Sequence, residues 1–242
     1  MRFSAAALSA AAVVVLSGTA TAQTVTFETL VHGEIITNQF EPYLTITVDN
    51  FSGPDIGAVY DTTTTGGADP DLEDPWSGGN LPSNFFLGNM LIIAENDTDT
   101  NNDGILDNPD DEAGRPAGTI TLEFGNDVTE FGFDLVDIEG TVESSSLDFY
   151  LDGGLVGSVD FSEFEAGGAY DSGVIYGDNY ANRVNPISAS SLGGTAFDTI
   201  VINVGGSGAF DNFLIPDLII PAPGSALALG SLGLMAVRRR RR

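Results

Sequence analysis

The chain has 242 residues, no cysteine, one histidine and a formal net charge of −27 at pH 7. Between positions 23 and 217 the only basic residues are Arg115 and Arg183, lysine is absent from the whole chain, and all 35 acidic residues lie in this range. The resulting negative electrostatic field repels nucleic acid and anionic membrane surfaces. The absence of cysteine excludes disulfide bonds. Two explanations of the acidity stay open: solvation of the surface, or binding of divalent cations.

The first 22 residues predict a secretory signal peptide. Arg2 precedes an apolar run over 5–16, and the small triplet Ala20-Thr21-Ala22 is typical of a cleavage site before Gln23. The residues that follow, 23–217, have the length of a single secreted domain.

Short apolar or alternating runs recur through 23–217 between turns rich in Gly, Asn and Asp, without a sustained 3.6-residue periodicity. Asp152-Gly153-Gly154 predicts a tight hairpin turn. We therefore predict an all-β fold, a jelly-roll-like antiparallel β-sandwich with long acidic loops. The predicted strands are 24–28, 43–48, 90–94, 119–124, 129–137, 146–151, 155–161, 173–176, 199–204 and 209–215.

No strand is predicted over the long stretch 61–89, which contains Trp76, the only tryptophan. A loop of this length in a compact domain usually has a function or is held in place by contacts with the rest of the protein. Trp76 has two interpretations: it stacks against a sugar ring, or it pins the loop to the core. Carbohydrate binding, with extracellular polysaccharide as the ligand, is therefore an alternative function. Further candidate glycan contacts are Tyr60, Tyr170, Tyr176 and Tyr180.

The densest group of acidic residues is the acidic segment, 95–112. Oxygen-bearing side chains at Asp99, Asn101 and Asp103, followed by Gly104, match the first half of an EF-hand-type calcium loop, in which alternate residues point inward and glycine makes the sharp turn. The twelfth position counted from Asp99 is Asp110 instead of glutamate, and no flanking helices are predicted. An acidic surface loop without metal is the alternative, because the same residues make ordinary turns.

The spacing of the acidic segment resembles more closely a single copy of the type-3 repeats of thrombospondin. That resemblance implies a bound Ca²⁺ ion. The ligands that it implies are Asp99, Asn101, Asp103, Asp107 and Asp110.

Two weaker groupings of acidic residues are also candidates for an ion site. The predicted architecture is similar to that of secreted jelly-roll carbohydrate-binding modules, which often hold a structural calcium where the first and last strands meet. The matching residues are Glu28 and the pair Asp211-Asn212. The second grouping flanks the predicted strand 90–94 and could converge on one ion. It consists of Asp69, Asp71 and Glu95. In both groupings the side chains could instead face water.

The residues favour no catalytic site. With His32 as the sole histidine and no cysteine, Cys-His catalysis is excluded, and a multi-histidine zinc centre is disfavoured. Neither a Gly-x-Ser-x-Gly elbow nor a phosphate-binding glycine loop is present. A pair of carboxylates could still serve a glycoside hydrolase, which is the less favoured alternative to a non-enzymatic protein.

The chain ends in a tail of three parts. Pro221-Ala222-Pro223 precedes an apolar run over 225–237, which is shorter than the ~20 residues that a helix needs to cross a bilayer. A terminal arginine cluster follows, which the positive-inside bias would keep in the cytoplasm. The tail resembles the PEP-CTERM sorting signal, with Ala222 in place of its glutamate; a plain membrane anchor is the alternative. The cluster consists of Arg238, Arg239, Arg240, Arg241 and Arg242.

This resemblance implies that an exosortase-type membrane transpeptidase processes the tail while it is transiently held in the inner membrane. The protein would then reach the cell surface or an exopolysaccharide matrix. The sequence as a whole predicts a signal peptide at 1–22, a secreted β-sandwich domain at 23–217 and a sorting segment at 218–242. The predicted function is that of an exported, non-enzymatic and calcium-stabilised surface or matrix protein.

Overall fold

A computed structural model describes residues 23–140 and 143–220, which form a sandwich of two antiparallel β-sheets. The eleven strands are β1 (Gln23–Val25), β2 (Leu44–Asn50), β3 (Gly57–Asp61), β4 (Asn89–Ile93), β5 (Gly118–Val128), β6 (Glu130–Val136), β7 (Ser146–Leu151), β8 (Gly154–Asp160), β9 (Ala181–Ser188), β10 (Phe197–Val204) and β11 (Ala209–Ile215). Short 3₁₀ turns lie at Pro70–Leu72, Phe161–Phe164 and Ala189–Leu192. The predicted all-β sandwich is confirmed.

The two sheets contain six and five strands. The six-stranded sheet has the order β3-β4-β11-β6-β9, and β1 is a further neighbour of β11; the five-stranded sheet has the order β2-β5-β10-β7-β8. Because β6 occupies one edge of β11, β4 and β1 share the other edge, where β4 pairs with the first residues of β11 and β1 with the last. The chain passes repeatedly from one sheet to the other, as expected of a jelly-roll-like sandwich.

The first and last strands lie side by side. Gln23, where the predicted signal peptide ends, is opposite Ile215 at the end of β11. The described domain also continues slightly past the predicted boundary at 217, because Leu218 is only 3% exposed. Its amide donates to the carbonyl of Ile215 over 3.1 Å. Both ends of the domain therefore leave the sandwich from one place.

The two sheets differ in how their faces are buried. In β5 and β10 of the five-stranded sheet, buried residues largely alternate with more exposed ones, as expected when one face is solvated. In β4 and β6 of the six-stranded sheet, nearly every residue is buried. The main core fills the space between the sheets and is rich in phenylalanine, including Phe131, Phe133, Phe149, Phe197 and Phe213. The six-stranded sheet must therefore also be covered on its outer face.

The cover is the long loop, 62–88, which joins β3 to β4. It places Leu72, Trp76 and Leu87 against Tyr60 and Met90 in a second apolar cluster. The loop also runs beside β9. There the Leu81 amide donates to the Ala181 carbonyl over 3.1 Å, and the Ala181 amide donates to the Gly78 carbonyl over 3.0 Å. The long loop is thus held by packing and by backbone hydrogen bonds.

Several local predictions can be compared with this fold. The strands predicted at 146–151 and 209–215 have the bounds of β7 and β11. The predicted hairpin between β7 and β8 is confirmed, and the positive φ of Asp152 (51°) and Gly153 (75°) is that of a type I′ turn. The predicted strand at 173–176 is wrong, because Val174 forms only an isolated bridge with Glu165. β3 and β9 were not predicted.

In the described part of the chain, no helix is long and apolar enough to cross a membrane. The predicted signal peptide at 1–22 and the predicted apolar run at 225–237 lie outside the described residues.

Candidate functional site

Three carboxylates meet at one end of the six-stranded sheet, where β4 ends and β11 begins. Oxygens of Asp69, Asp110 and Asp111 all lie within 4.8 Å of one another, and we call this group the carboxylate cluster. Asp69 comes from the long loop, and the other two come from the acidic segment. The cluster therefore joins two loops that are distant in the sequence.

Asp69 is fixed at the start of the 3₁₀ turn Pro70–Leu72. Its backbone is extended, its Oδ1 accepts a 3.0 Å hydrogen bond from the amide of Asp71, and Pro70 starts the turn, as expected at an N-cap. Its carbonyl accepts a 2.7 Å hydrogen bond from the hydroxyl of Tyr60. The residue is 7% exposed, and no hydrogen bond from any described residue reaches its buried Oδ2.

Asp110 and Asp111 are held against the end of β4. The amide of Glu95 donates to the Asp110 carbonyl over 3.0 Å, and Ala94 forms an antiparallel bridge with Asp111. The Asp111 side chain is 5% exposed and accepts a 2.9 Å hydrogen bond from the hydroxyl of Ser207 and another from the amide of Gly208. Asp111 thus connects the acidic segment to the turn before β11.

A fourth carboxylate, Asp137, is linked to the cluster through Ser207. The hydroxyl of Ser207 lies 2.7 Å from Oδ2 of Asp137, whose Oδ1 accepts a 2.8 Å hydrogen bond from the amide of Asn179. Because a serine hydroxyl carries one proton, it can donate to only one of Asp111 and Asp137 at a time.

Burial dominates the electrostatics of the site. It raises the pKa of Asp111 well above its usual value, and the neighbouring Asp69 raises it further. Burial also raises the pKa of Asp69 and of Asp110, and it raises the pKa of Asp137 to about 7. Each shift has the same cause: a carboxylate removed from water is costly unless an opposite charge lies beside it.

Both arginines of the described domain are engaged elsewhere. Arg115 pairs with Glu139 and lies 3.3 Å from Glu143, and Arg183 pairs with Asp134 over 2.7 Å. The negative charge of the cluster can therefore be offset only by protons or by a bound cation. Carboxylate oxygens in this number are typical ligands of a hard divalent cation.

The predicted calcium ligands of the acidic segment fall into two places. Asp99 accepts hydrogen bonds from the amides of Asp103 and Gly104 at 3.2 and 2.9 Å, and the amide of Asp103 also donates to Oδ1 of Asn101 over 3.0 Å. Asp107 accepts from the amide and the hydroxyl of Thr100 at 3.0 and 2.7 Å. These four predicted ligands lie at the exposed end of the segment, whereas the fifth, Asp110, lies in the carboxylate cluster.

The grouping of Asp69, Asp71 and Glu95 is brought together in part. Asp69 belongs to the cluster, and the side chain of Glu95 lies close to that of Asp110. Asp71 is exposed and contributes its amide to Asp69.

Glu28 lies three residues beyond the end of β1, close enough to Asp211 on β11 for its charge to act on that carboxyl group. Asp211 is 1% exposed, and its Oδ1 accepts no hydrogen bond from a described residue. Burial raises the pKa of Asp211 to about 8, and the charges of Asp134 and Glu28 add to this effect. Glu28 is exposed and accepts a 3.0 Å hydrogen bond from the amide of Asn89. Asn212 donates instead to Asp134 over 2.9 Å.

Trp76 is not placed to contact a glycan. Its side chain is 3% exposed within the apolar cluster under the long loop, and its indole N–H donates to the carbonyl of Phe85 over 2.8 Å. The interpretation of Trp76 as a sugar platform is therefore wrong, and its role is to pin the loop. Tyr60 is fully buried, so it is excluded as a glycan contact for the same reason. Tyr170, Tyr176 and Tyr180 are half-buried.

Two carboxylates of the site, Asp111 and Asp137, were not among the predicted site residues. Asp111 is adjacent to a predicted ligand, so the Asp110-Asp111 pair was the available signal. Nothing in the sequence around Asp137 marks it, since it follows the apolar strand β6. The predicted sorting residues 221–223 and 238–242 lie outside the described residues.

No protein-family model and no curated protein sequence matches the chain. Among solved structures, the K2 cleaved adhesin domain of Lys-gingipain is similar with a TM-score of 0.35 and 11% sequence identity. The match covers 81% of this chain and 99% of that domain. Similarity at this level assigns neither a family nor an activity.

Proposed function

We propose that the protein is an exported, non-enzymatic β-sandwich module that resides at the cell surface or in an extracellular polysaccharide matrix. The observation that carries this proposal is the pairing of Gln23 with Ile215. The described sandwich begins at the predicted signal cleavage site and runs to residue 220, just before the proline motif at 221–223. Cleavage of both termini would therefore release an intact domain.

In this proposal the C-terminal tail is the signal that directs the protein to the cell surface or matrix. An exosortase-type membrane transpeptidase would act on the segment that contains Pro221, Ala222 and Pro223 while the apolar run is held in the inner membrane. The first and last described strands end side by side, so both predicted cleavage sites are proposed to lie at the same end of the sandwich.

The domain itself contributes stability and a binding surface in this proposal, without catalysis. Ca²⁺ is the proposed ligand, because clustered carboxylates need an opposing charge and both arginines of the domain are already paired. A hard divalent cation is abundant outside the cell, where modules with affinities of about 10⁻⁴–10⁻³ M are loaded.

Cell fractionation with mass spectrometry tests the proposal. The full chain is expressed in a Gram-negative host with and without exosortase, and the masses in each fraction are compared. We expect a mature form that starts at Gln23 and lacks the arginine cluster, found at the surface or in the matrix only when exosortase is present.

The matched control replaces the five arginines at 238–242 with glutamine, which keeps the length and the apolar run. We expect this variant to accumulate unprocessed. Recovery of the intact chain, arginines included, from the cytoplasm would contradict the proposal.

A glycan-binding role is a second candidate, supported by a groove of about 400 Å³ beside Tyr170. The groove is also lined by Asp171, Asn185, Ser188 and Ser191, so it combines an aromatic ring with carboxylate, amide and hydroxyl groups. A glycan array that compares the unmodified protein with Tyr170→Ala tests whether this groove binds a glycan. Retention that Tyr170→Ala abolishes would support this role, and no retention of the unmodified protein would remove it.

A further inference from the structure

We infer that the carboxylate cluster of Asp69, Asp110 and Asp111 binds one divalent cation of the Ca²⁺ class, and that this ion fastens the long loop to the acidic segment. The inference rests on the calcium part of the proposed function and is independent of export. The site differs from the one that the thrombospondin resemblance implies, since it shares only Asp110 with that set.

The need for a cation follows from the burial of the cluster. Asp69 and Asp111 are 7% and 5% exposed, and their side chains lie within hydrogen-bonding distance of each other. Two buried carboxylates at this separation repel strongly unless a positive charge or a proton lies between them. Both arginines of the domain are bound to other carboxylates. When the cluster is ionised, the opposing positive charge must therefore come from a bound cation.

An oxygen without a hydrogen-bond donor provides independent support. Oδ1 of Asp69 accepts from the backbone of the adjacent turn, whereas its Oδ2 is buried and receives no donor from the described residues. Leaving a buried charged oxygen unpaired is costly, and such oxygens in folded proteins usually coordinate metals or are paired. Asp69 is therefore built to offer one free oxygen to a ligand.

The spacing of the cluster suits calcium. Oxygens that bind Ca²⁺ lie at 2.3–2.6 Å from the ion, so two ligands on opposite sides are separated by roughly 4.6–5.2 Å. The three carboxylate oxygens lie within 4.8 Å of one another, inside that limit. Mg²⁺ requires near-ideal octahedral geometry at about 2.0–2.1 Å and usually keeps several waters, so a site with three or more carboxylates suits Ca²⁺ better.

The remaining coordination positions have suitable occupants. Asp110 is half-buried, so the cluster opens towards solvent on its side, and the exposed side chain of Glu95 lies close to that of Asp110. Ca²⁺ takes six to eight oxygens, which bidentate carboxylates, Glu95 and water can complete. The same opening provides a path by which the ion enters.

The exposed end of the acidic segment is a weaker candidate for the ion. Asp99 and Asp103 already accept hydrogen bonds from neighbouring amides in the turn, and Asp107 accepts from Thr100. These side chains lie at the exposed end of the segment, where water can solvate them, and none of their oxygens is both buried and unpaired like Oδ2 of Asp69. Asp103, at the exposed end of the segment, therefore provides the matched control for the experiment.

The test measures Ca²⁺ binding by titration calorimetry and the melting temperature of the full chain, purified in detergent, in EDTA, Ca²⁺ and Mg²⁺. The test variants are Asp69→Asn and Asp111→Asn, and the control variant is Asp103→Asn. Asparagine keeps the N-cap at position 69 and an acceptor at position 111, so both variants are expected to fold.

We expect Ca²⁺ to raise the melting temperature of the unmodified chain and of Asp103→Asn, with a smaller effect of Mg²⁺. We expect Asp69→Asn and Asp111→Asn to bind Ca²⁺ at least about a hundredfold more weakly and to lose the shift. In EDTA their melting temperatures should equal or exceed that of the unmodified chain, because each removes repulsion between carboxylates. This reversal between EDTA and Ca²⁺ separates lost binding from simple misfolding.

Two results would overturn the inference. If Asp103→Asn abolishes the shift and the cluster variants keep it, the ion binds in the exposed loop, and the calcium part of the proposed function survives without this site. If the unmodified chain shows no binding at millimolar Ca²⁺, the cluster is neutralised by protons alone. Neither result affects the fractionation experiment.

Discussion

The guanidinium of Arg183 and the carboxylate of Asp134 form a two-point hydrogen bond, with Nε–Oδ1 and Nη2–Oδ2 distances of 2.7 Å each. Asp134 is fully buried, and its other strand neighbour in the sheet is the buried Asp211. The guanidinium also lies 5.2 Å from the centre of the Phe85 ring in the long loop. Arg183 thus neutralises a buried carboxylate on the six-stranded sheet and also contacts the long loop that covers the outer face of that sheet.

Replacing this arginine should destabilise the domain. Arg183→Ala leaves the buried carboxylate of Asp134 unpaired beside Asp211, and loss of one partner of a buried pair costs about 3–5 kcal/mol. Because Arg183 is half-exposed, we expect a loss of about 2–4 kcal/mol in the free energy of unfolding, measured by urea denaturation. Arg183→Lys keeps the charge without the two-point geometry and should lose less. A loss below about 0.5 kcal/mol for Arg183→Ala would show that Asp134 is neutralised in another way.

Removing the indole that pins the long loop should also reduce stability. Trp76→Ala empties a buried site in the second apolar cluster, for which we expect a loss of about 3–5 kcal/mol. Trp76→Phe keeps much of the packing but loses the hydrogen bond to Phe85, at a cost of about 1–2 kcal/mol. Chemical denaturation checks both values. Full stability of Trp76→Ala, together with lost glycan retention, would restore the sugar-platform interpretation.

Local sequence patterns determine only part of this fold. The patterns that predicted β7, β11 and their turns depend on neighbouring residues, and they were sufficient for the sandwich. β9 was missed because it contains Asn182 and Arg183, whose partners lie far away in the chain: Asn182 accepts a hydrogen bond from the amide of Asn80, and Arg183 binds Asp134. Their polarity is satisfied by distant residues, so no local periodicity predicts a strand there.

The candidate site depends even more on topology. Asp69 and Asp111 meet because β3, β4 and β11 are neighbours in one sheet, an order that alternating patterns do not specify. At the exposed end of the acidic segment, the spacing of Asp99, Asn101 and Asp103 suits both a calcium loop and a series of turns stabilised by side-chain hydrogen bonds. The sequence therefore identified the acidic segment as a candidate site. It could not show that Asp110 belongs to a buried carboxylate cluster while the other predicted ligands are exposed.

The stability of the domain in EDTA should fall as the pH rises from about 4 to 8. Burial raises the pKa of Asp211 from its ordinary value of 3.8 to about 8, so the folded state retains a proton that the unfolded state releases. The stability contributed by this group is complete below pH 4 and is lost as the pH rises to 8, by up to about 1.4 kcal/mol per pH unit. The raised pKa of Asp137, about 7, acts in the same direction.

Asp211→Asn provides the test of this pH dependence. The variant cannot ionise at position 211, so we expect it to be more stable than the unmodified chain at pH 8, with the difference shrinking towards pH 5. Asp137 keeps part of the slope in the variant. Asp160→Asn, at an exposed position, is the control and should leave the profile unchanged. Equal effects of Asp211→Asn at pH 5 and pH 8 would contradict the role of its ionisation.

The end of the folded domain can be located by truncation. Leu218 is 3% exposed, and the amide of Ile219 donates to Oδ1 of Asn126 over 2.9 Å. Burial of a leucine side chain contributes about 1.5–3 kcal/mol, and one hydrogen bond adds about 1 kcal/mol. A chain that ends at Asp217 should therefore be about 2–4 kcal/mol less stable than one that ends at Ile220, as measured by urea denaturation.

Leu218→Ala in the chain that ends at Ile220 is the matched control and should reproduce most of that loss. The chain that ends at Ile220 should itself be as stable as the full chain, because it keeps the hydrogen bond of Ile219 and the packing of Leu218 and Ile220 against the core. Equal stability of the two truncated chains would place the end of the domain at Asp217. In that case the sorting segment would begin at Leu218, and processing could remove it without touching the core.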